Sequence, residues 1–388
     1  MDITIQPGKL CGTVAAIPSK SQAHRLLICA ALADKETTLL CPQTNQDIEA
    51  TAECLRTLGS DIRRTGAGYC VTPVSGIPKS AVLDCRESGS TLRFMLPIVG
   101  ALGVDATFLM EGRLPQRPLS PLWEEMERMG CTLTRPTENT IRCCGQLKNG
   151  EYAIDGSVSS QFITGLLFAL SLLKDSSLTV TGKVESKPYI DMTKQALALF
   201  GAPQYHSPGK IAVEGDWSNG AFWLAAKALG SNISVTGLSH DSAQGDRAVA
   251  VILPQLQAGC PTVSAADIPD LVPILSVVAA CYHGAVFTDF QRLRLKESDR
   301  VASTIAMIQQ LGGKAEANGN TLTVYGTGLT GGTVDSVNDH RIAMAAAIAA
   351  TVCKEDVTVL GAECVVKSYP KFWEEYARLG GNYELNLR

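Results

Sequence analysis

No Cys-x-x-Cys pair occurs in these 388 residues, although there are thirteen cysteines, an odd number. Most of them, such as Cys29, Cys54, Cys281 and Cys353, sit in apolar stretches. That argues against a zinc site or a disulfide framework and for reduced core thiols. Adjacent Cys143-Cys144 lies in a strand-like segment whose side chains alternate between faces, poor geometry for a shared metal. Excess positive charge is also missing: 34 Lys and Arg against 38 Asp and Glu leave a formal charge of −4. This argues against nucleic acid as the main partner, so an anionic ligand needs a local cluster of cations. The longest uncharged apolar runs, near 271–282 and 342–353, fall short of the ~20 residues that span a bilayer. Residues 1–6 alternate like a strand and lack a basic start, so no signal peptide is expected and the expected location is the cytoplasm.

What is present is ample core: 45% hydrophobic and 19% charged residues in a length that suits two domains. The chain is organised around Ile154-Asp155-Gly156-Ser157-Val158-Ser159-Ser160-Gln161-Phe162, which leads into an apolar run from Ile163 to Leu173 without a charged residue. Free backbone N–H groups and small hydroxyls at such a helix start suit an anion, whereas a plain Ser cap is the ordinary alternative. Similar starts recur at Ser21 and Ser90, so that Ser21, Ser90 and Ser159 are spaced by 69 residues. Amphipathic segments ending in Gly59, Gly130 and Gly201 are spaced by 71. Two independent markers with nearly one period indicate three structural repeats. The second half repeats the theme at Ser218-Asn219-Gly220, Ile268-Pro269-Asp270 and Asn338-Asp339-His340-Arg341, with one repeat, the fourth, short by about a strand pair. Six repeats in two groups of three are expected.

Several basic clusters are candidates for anion binding. Lys20 and Arg25 open an apolar helix, where cations oppose the helix dipole unless an anion is held there. His24 reads as structural. Gly89 permits close backbone approach beside Arg86 and Arg93. Arg113 and Arg117 flank a rigid Pro-containing loop, followed by a helix expected to start with Ser120 as N-cap and Pro121 at its first position. Alternation over 292–296 places Arg292, Arg294 and Lys296 on one strand face, with Glu297 and Arg300 three apart on a helix. The chain crosses between domains near Pro18 and Gly215, giving one domain of 19–214 and another of 1–18 with 215–388.

In order, Lys20-Ser21…Arg25, Gly89…Arg93, Arg117-Pro118, Asp155-Gly-Ser-Val-Ser-Ser-Gln161-Phe, Ser186-Lys-Pro-Tyr189, Asp270, Lys296-Glu297…Arg300, Asn338-Asp-His-Arg341 and Lys367 resemble the motifs of the 5-enolpyruvylshikimate-3-phosphate synthase family over nearly the whole chain. The resemblance implies an α/β (α+β) fold, a two-domain inside-out α/β barrel of six βαβαββ-type repeats. It implies transfer of the enolpyruvyl group of phosphoenolpyruvate to the 5-hydroxyl of shikimate 3-phosphate, with release of phosphate, by a monomer needing no metal or other cofactor. Such enzymes are inhibited by glyphosate. By the same resemblance Lys20, Ser21, Arg25, Ser159, Ser160, Gln161, Ser186, Tyr189, Asp270 and Lys296 hold shikimate 3-phosphate. Lys20, Gly89, Arg117, Gln161, Glu297, Arg300, Arg341 and Lys367 hold phosphoenolpyruvate. Asp270 is the implied base for the hydroxyl and Glu297 the acid for the methylene carbon, with Lys20 and Lys296 stabilising charge. The chain departs from the best-known members in Glu87-Ser88-Gly89-Ser90, where they read Asn-Ala-Gly-Thr, and in Arg292, where they have Asn. The sister enzyme acting on UDP-N-acetylglucosamine lacks the Ser-Ser-Gln and Ser-Lys-Pro-Tyr motifs; a two-domain anion-binding protein without catalysis would need no paired Asp270 and Glu297.

Overall fold

A helix that is apolar on every side is stable only when other elements surround it. In the computed structural model, which describes residues 1–386, such helices form the interior of two units. The terminal unit comprises Met1–Ile17 and Gly215–Arg388 up to the last described residue, and the central unit comprises Pro18–Glu214.

The chain begins in the terminal unit with β1 (Asp2–Ile5) and β2 (Cys11–Ala15). The central unit follows with α1 (Lys20–Ala31), β3 (Thr37–Leu40), α2 (Gln46–Thr57), β4 (Asp61–Thr65) and β5 (Gly68–Thr72). Next come β6 (Ser80–Asp84), α3 (Gly89–Leu102), β7 (Asp105–Leu109), α4 (Leu122–Arg128), β8 (Cys131–Thr134) and β9 (Thr140–Gly145). The unit closes with β10 (Glu151–Asp155), α5 (Ser160–Leu170), β11 (Ser177–Thr181), α6 (Lys187–Leu199) and β12 (Lys210–Ala212). The terminal unit resumes with α7 (Trp217–Ala228), β13 (Asn232–Thr236), α8 (Val249–Ala258), β14 (Thr262–Ser264), α9 (Val272–Cys281) and β15 (Ala285–Thr288). It ends with α10 (Arg300–Gln310), β16 (Lys314–Asn318), β17 (Thr321–Tyr325), β18 (Gly332–Asp335), α11 (His340–Ala349), β19 (Val357–Leu360), α12 (Phe372–Arg378) and β20 (Tyr383–Asn386).

Each unit carries the same set of sheets. In the central unit they run β12-β3-β5-β4, β6-β7-β9-β8 and β10-β11; in the terminal unit, β18-β19-β1-β20, β14-β15-β17-β16 and β13-β2. Every four-stranded sheet opens with a parallel pair and continues antiparallel, and in β6-β7, β14-β15 and β18-β19 one helix bridges the parallel pair. The first strand of one sheet is borrowed from the far end of its unit: β12 completes the repeat begun by α1, and β1 completes the one ended by β20. Two repeats, not one, lack the closing strand pair: β10-α5-β11-α6 as well as β2-α7-β13-α8. The chain after α6 is used by β12, and the connection from α8 to β14 is too short for a hairpin.

The apolar helices α1, α3 and α5 are almost wholly buried in the central unit, as are α7, α9 and α11 in the terminal one. Packing of α5 on α3 comes down to backbone: a Cβ at Gly165 would lie 2.1 Å from the carbonyl oxygen of Arg93. Two local expectations are corrected. Residues 291–295 form a 3-10 helix instead of a strand, so the alternation of Arg292, Arg294 and Lys296 does not place them on one strand face. The helix α4 starts at Leu122 with Pro121 in the cap position and no side-chain cap, and Glu124 and Glu125 complement its dipole in place of Ser120.

Candidate active site

In the central unit α1, α3 and α5 begin at Ser19, Ser88 and Ser159, whose hydroxyls accept from Gln22 N, Thr91 N and Gln161 N. None of the three has an acidic residue in its first turn. Their positive ends are thus left without a charge complement, which suits an incoming anion. Gln161 ties two of these starts together: its Oε1 accepts from Arg93 Nη1 at 2.6 Å and its Nε2 donates to Ser90 Oγ at 2.9 Å. Arg93 also donates to the Pro118 carbonyl at 3.1 Å and lies over the ring of Phe162. Gly89 faces this pair. A Cβ there would lie 2.6 Å from Arg117 Nη1 and 3.0 Å from Arg93 Nη1, so only glycine lets both guanidinium groups pass.

A second group surrounds Arg25, which is 2% exposed. Its guanidinium donates to the carbonyls of Ser21 (2.6 Å) and Tyr189 (3.0 Å) and to the hydroxyls of Thr193 (2.8 Å) and Thr164 (3.3 Å). All four acceptors are neutral. Burial therefore pulls its pKa down to about 10, which still leaves it charged at neutral pH. Thr164 stands one turn beyond Ser160 and Gln161 on α5, so this helix carries both groups. Buried Ser160 heads it, and Ser186, also buried, precedes α6 with φ of 53°, a left-handed conformation costly for serine. Lys20 pairs with Asp47 at 2.8 Å. His24 donates to or accepts from Thr51 at 2.7 Å, and burial with Lys20 and Arg25 nearby keeps it neutral, in keeping with a structural role.

The terminal unit builds its set on a single guanidinium. Arg300, 1% exposed, begins α10 and meets three carboxylates: Asp270 at 2.5 Å, Glu297 at 2.5 Å and Asp339 at 2.8 Å. Asp339, the buried cap of α11, also accepts from Ser298 Oγ at 2.9 Å and Arg341 N at 2.9 Å. Arg300 was expected to hold a substrate; in this structure its donors go to carboxylates, and its charge is stabilised well beyond the ordinary arginine range. Arg341 is different. It approaches Asp270 only at 3.5 Å, while its Nε and Nη1 are buried without a hydrogen-bond partner. Lys367 donates to the Asn338 carbonyl at 2.9 Å, three residues before Arg341.

Charge in this cluster is finely opposed. Burial favours the neutral form of Asp270, but Lys296 (3.5 Å), Arg341 and Arg300 outweigh it and hold the carboxyl well below the usual range. Burial lowers Lys296 to about 8 although Asp270 pulls the other way. Sequence reasoning assigned no role to Arg93, Asp47 or Asp339. The first and third lie inside the family motifs, and a charged residue heading an apolar helix was the available signal.

The synthase family model, EPSP synthase (3-phosphoshikimate 1-carboxyvinyltransferase), matches residues 5–262 and 259–376. The chain belongs to this family. Named relatives are the 3-phosphoshikimate 1-carboxyvinyltransferases of Clostridium kluyveri, 37% identical over 98% of both chains, and of Clostridium perfringens, 38% identical over the same shares. Among solved structures an EPSP synthase from Acinetobacter baumannii superposes with a TM-score of 0.80 at 22% identity over 100% of both chains. The enolpyruvyl transferase NikO from Streptomyces tendae follows at 0.74 and 15% identity, covering 99% of this chain and 98% of its own. These likenesses establish the family's two-domain inside-out α/β fold for this chain.

Proposed function

We propose that the chain carries out its family's reaction, transferring the enolpyruvyl group of phosphoenolpyruvate to the 5-hydroxyl of shikimate 3-phosphate and releasing phosphate, as a monomer in the cytoplasm. The observation that carries the residue roles is the arrangement at Arg300, where two carboxylates, Asp270 and Glu297, are held by one guanidinium beside the unspent donors of Arg341. Asp270 takes the hydroxyl proton as the oxygen attacks C2 of phosphoenolpyruvate, and Glu297 delivers a proton to its methylene carbon. Return of a proton from that carbon then expels phosphate from the tetrahedral intermediate. Asp270 is a weak base while three cations surround it. An anion that engages Arg341 and Lys296 relieves that field, so its basicity rises when substrate arrives.

Arg341, Arg117 and Lys367, with the Gly89 backbone, hold phosphoenolpyruvate, Arg being suited to bidentate contacts with its carboxylate and phosphate. The serine-capped starts of the central unit, with Lys20, Ser21, Arg25, Ser186 and Tyr189, hold shikimate 3-phosphate. In that unit Arg25 acts from beneath, since its donors already fix the starts of α1 and α6. Arg300 organises the carboxylates. Purified protein given both substrates should release phosphate stoichiometrically with product, and neither substrate alone should do so. Ligand binding without phosphate release would leave only an anion-binding protein. Light scattering at the mass of one chain checks the monomer.

A further inference from the structure

Asp246 lies outside the residues used so far. It belongs to the 3-10 turn Gly245–Ala248, is 1% exposed, and accepts a hydrogen bond from Ser218 Oγ in the first turn of α7. Phe222 stands one turn further along the same helix face, and the Arg341 guanidinium lies 5.8 Å from its ring centroid. Arg341 in turn faces Asp270 and keeps two buried donors unspent. Asp246 and Arg341 are thus placed one turn apart along the same face of α7, and Arg341 and Asp270 both act on the buried Asp246 carboxyl through space.

We propose that Asp246 is a positioning residue of the transfer reaction, and that an anion arriving at Arg341 binds together with one proton taken up by Asp246 from water. This rests on the reading of Arg341 as the holder of phosphoenolpyruvate. Burial pushes the Asp246 carboxyl up to about 7, and Asp270 adds to the push, while Ser218 and Arg341 pull it down and Asp216 at the cap of α7 raises it. Of the elements packed against it, α8 carries no ionisable side chain, and Lys227, the ionisable group within α7, lies more than two turns beyond Ser218. Arg247 on its own turn is exposed and donates to the His240 carbonyl. An anion on Arg341 cancels the favourable field at Asp246 and adds a like charge, so the neutral carboxyl is favoured more in the bound state than in the free one. Below about pH 7 Asp246 is already protonated and binding carries no proton cost. Above it, ionised Asp246 must take up a proton, and affinity falls with rising pH until the higher bound-state value is passed.

The test is the Michaelis constant for phosphoenolpyruvate from pH 6.5 to 8 in wild type and Asp246→Asn, which keeps the shape and removes the titration. The ratio of wild type to variant should climb about fivefold across this range. Lys296 titrates near the top of the range in both proteins, as does the phosphate near its foot, so both cancel in the ratio. A flat ratio overturns the proposal. Ser218→Ala removes the bond that lowers Asp246, so the wild-type inflection should move to higher pH; an unmoved inflection also overturns it and decides the matter should Asp246→Asn not fold. Arg341→Ala separates the two readings: if it leaves the Michaelis constant unchanged, the placement of phosphoenolpyruvate fails, whereas a large rise with parallel pH profiles fails Asp246 alone.

Discussion

The two units solve the burial of a guanidinium in opposite ways. Arg25 in the central unit is held by two carbonyls and two threonines, and its neighbouring helix starts are capped by serine. Arg300 in the terminal unit is held by three carboxylates, and α7, α10 and α11 start from aspartate caps. A buried cation held by neutral groups leaves charge for an anionic ligand to satisfy. One that is matched by carboxylates is electrostatically complete, and what it offers is ionised acids and bases in defined positions. On the proposed reading, one α/β repeat supplies the groups that hold shikimate 3-phosphate in the central unit and the proton-transfer groups in the terminal unit, through the choice of caps and counter-charges.

The largest expected effect attacks this contrast directly. Arg300→Met leaves three carboxylates without their cation and should cost about 3–5 kcal/mol. Arg25→Met leaves no stranded charge, and Thr164 and Thr193 already bond each other at 2.8 Å. Its cost in urea unfolding should be under half as large, while affinity for shikimate 3-phosphate falls steeply. Equal destabilisation by both would erase the distinction between the units.

Next come the carboxylates themselves. Asp270→Asn and Glu297→Gln should lower kcat by roughly two orders of magnitude or more, with much smaller changes in substrate binding. Wild-type turnover in either variant removes that residue from the mechanism. A more modest effect is expected at Gly89. The methyl of Gly89→Ala presses on Arg117 and Arg93, so the Michaelis constant for phosphoenolpyruvate should rise about tenfold, worth about 1.4 kcal/mol, with shikimate 3-phosphate affinity spared. A change confined to shikimate 3-phosphate would move Arg117 to the other ligand.

The smallest effect is a pH limb. Burial holds Lys296 near 8, so kcat should decline as pH rises through that value and its stabilising charge is lost. Lys296→Arg should carry the limb upward, even if kcat is lower throughout. The stability sign is the reverse of a salt-bridged lysine. The folded value lies below the unfolded ~10.4, so the unfolded chain binds more protons between them, and the cost of burying Lys296 diminishes as pH rises from about 8. Comparing urea midpoints of wild type and Lys296→Met from pH 7 to 9.5 reads that change.

Much of the architecture was legible because its causes are local. A serine caps a helix through an amide two or three residues on, and an all-apolar run declares a buried helix within three turns. Repetition of those signals identified the starts of α1, α3 and α5 and the amphipathic helices between them. Residue types at those starts, with the family motifs, named most of the cations and two of the three carboxylates that surround Arg300. Local pattern misled at 291–295, where alternating Arg and Leu read as a strand, because a two-residue period over five residues also fits a tight helical turn. Only tertiary structure decided how charge is shared: that Asp339, 39 residues from Arg300, completes its pairing, that Gly89 makes room for Arg117, and that Asp246 is buried against Ser218 of α7. Charge pairing and desolvation depend on distance and burial in space. Neither is encoded in the spacing of residues along the chain.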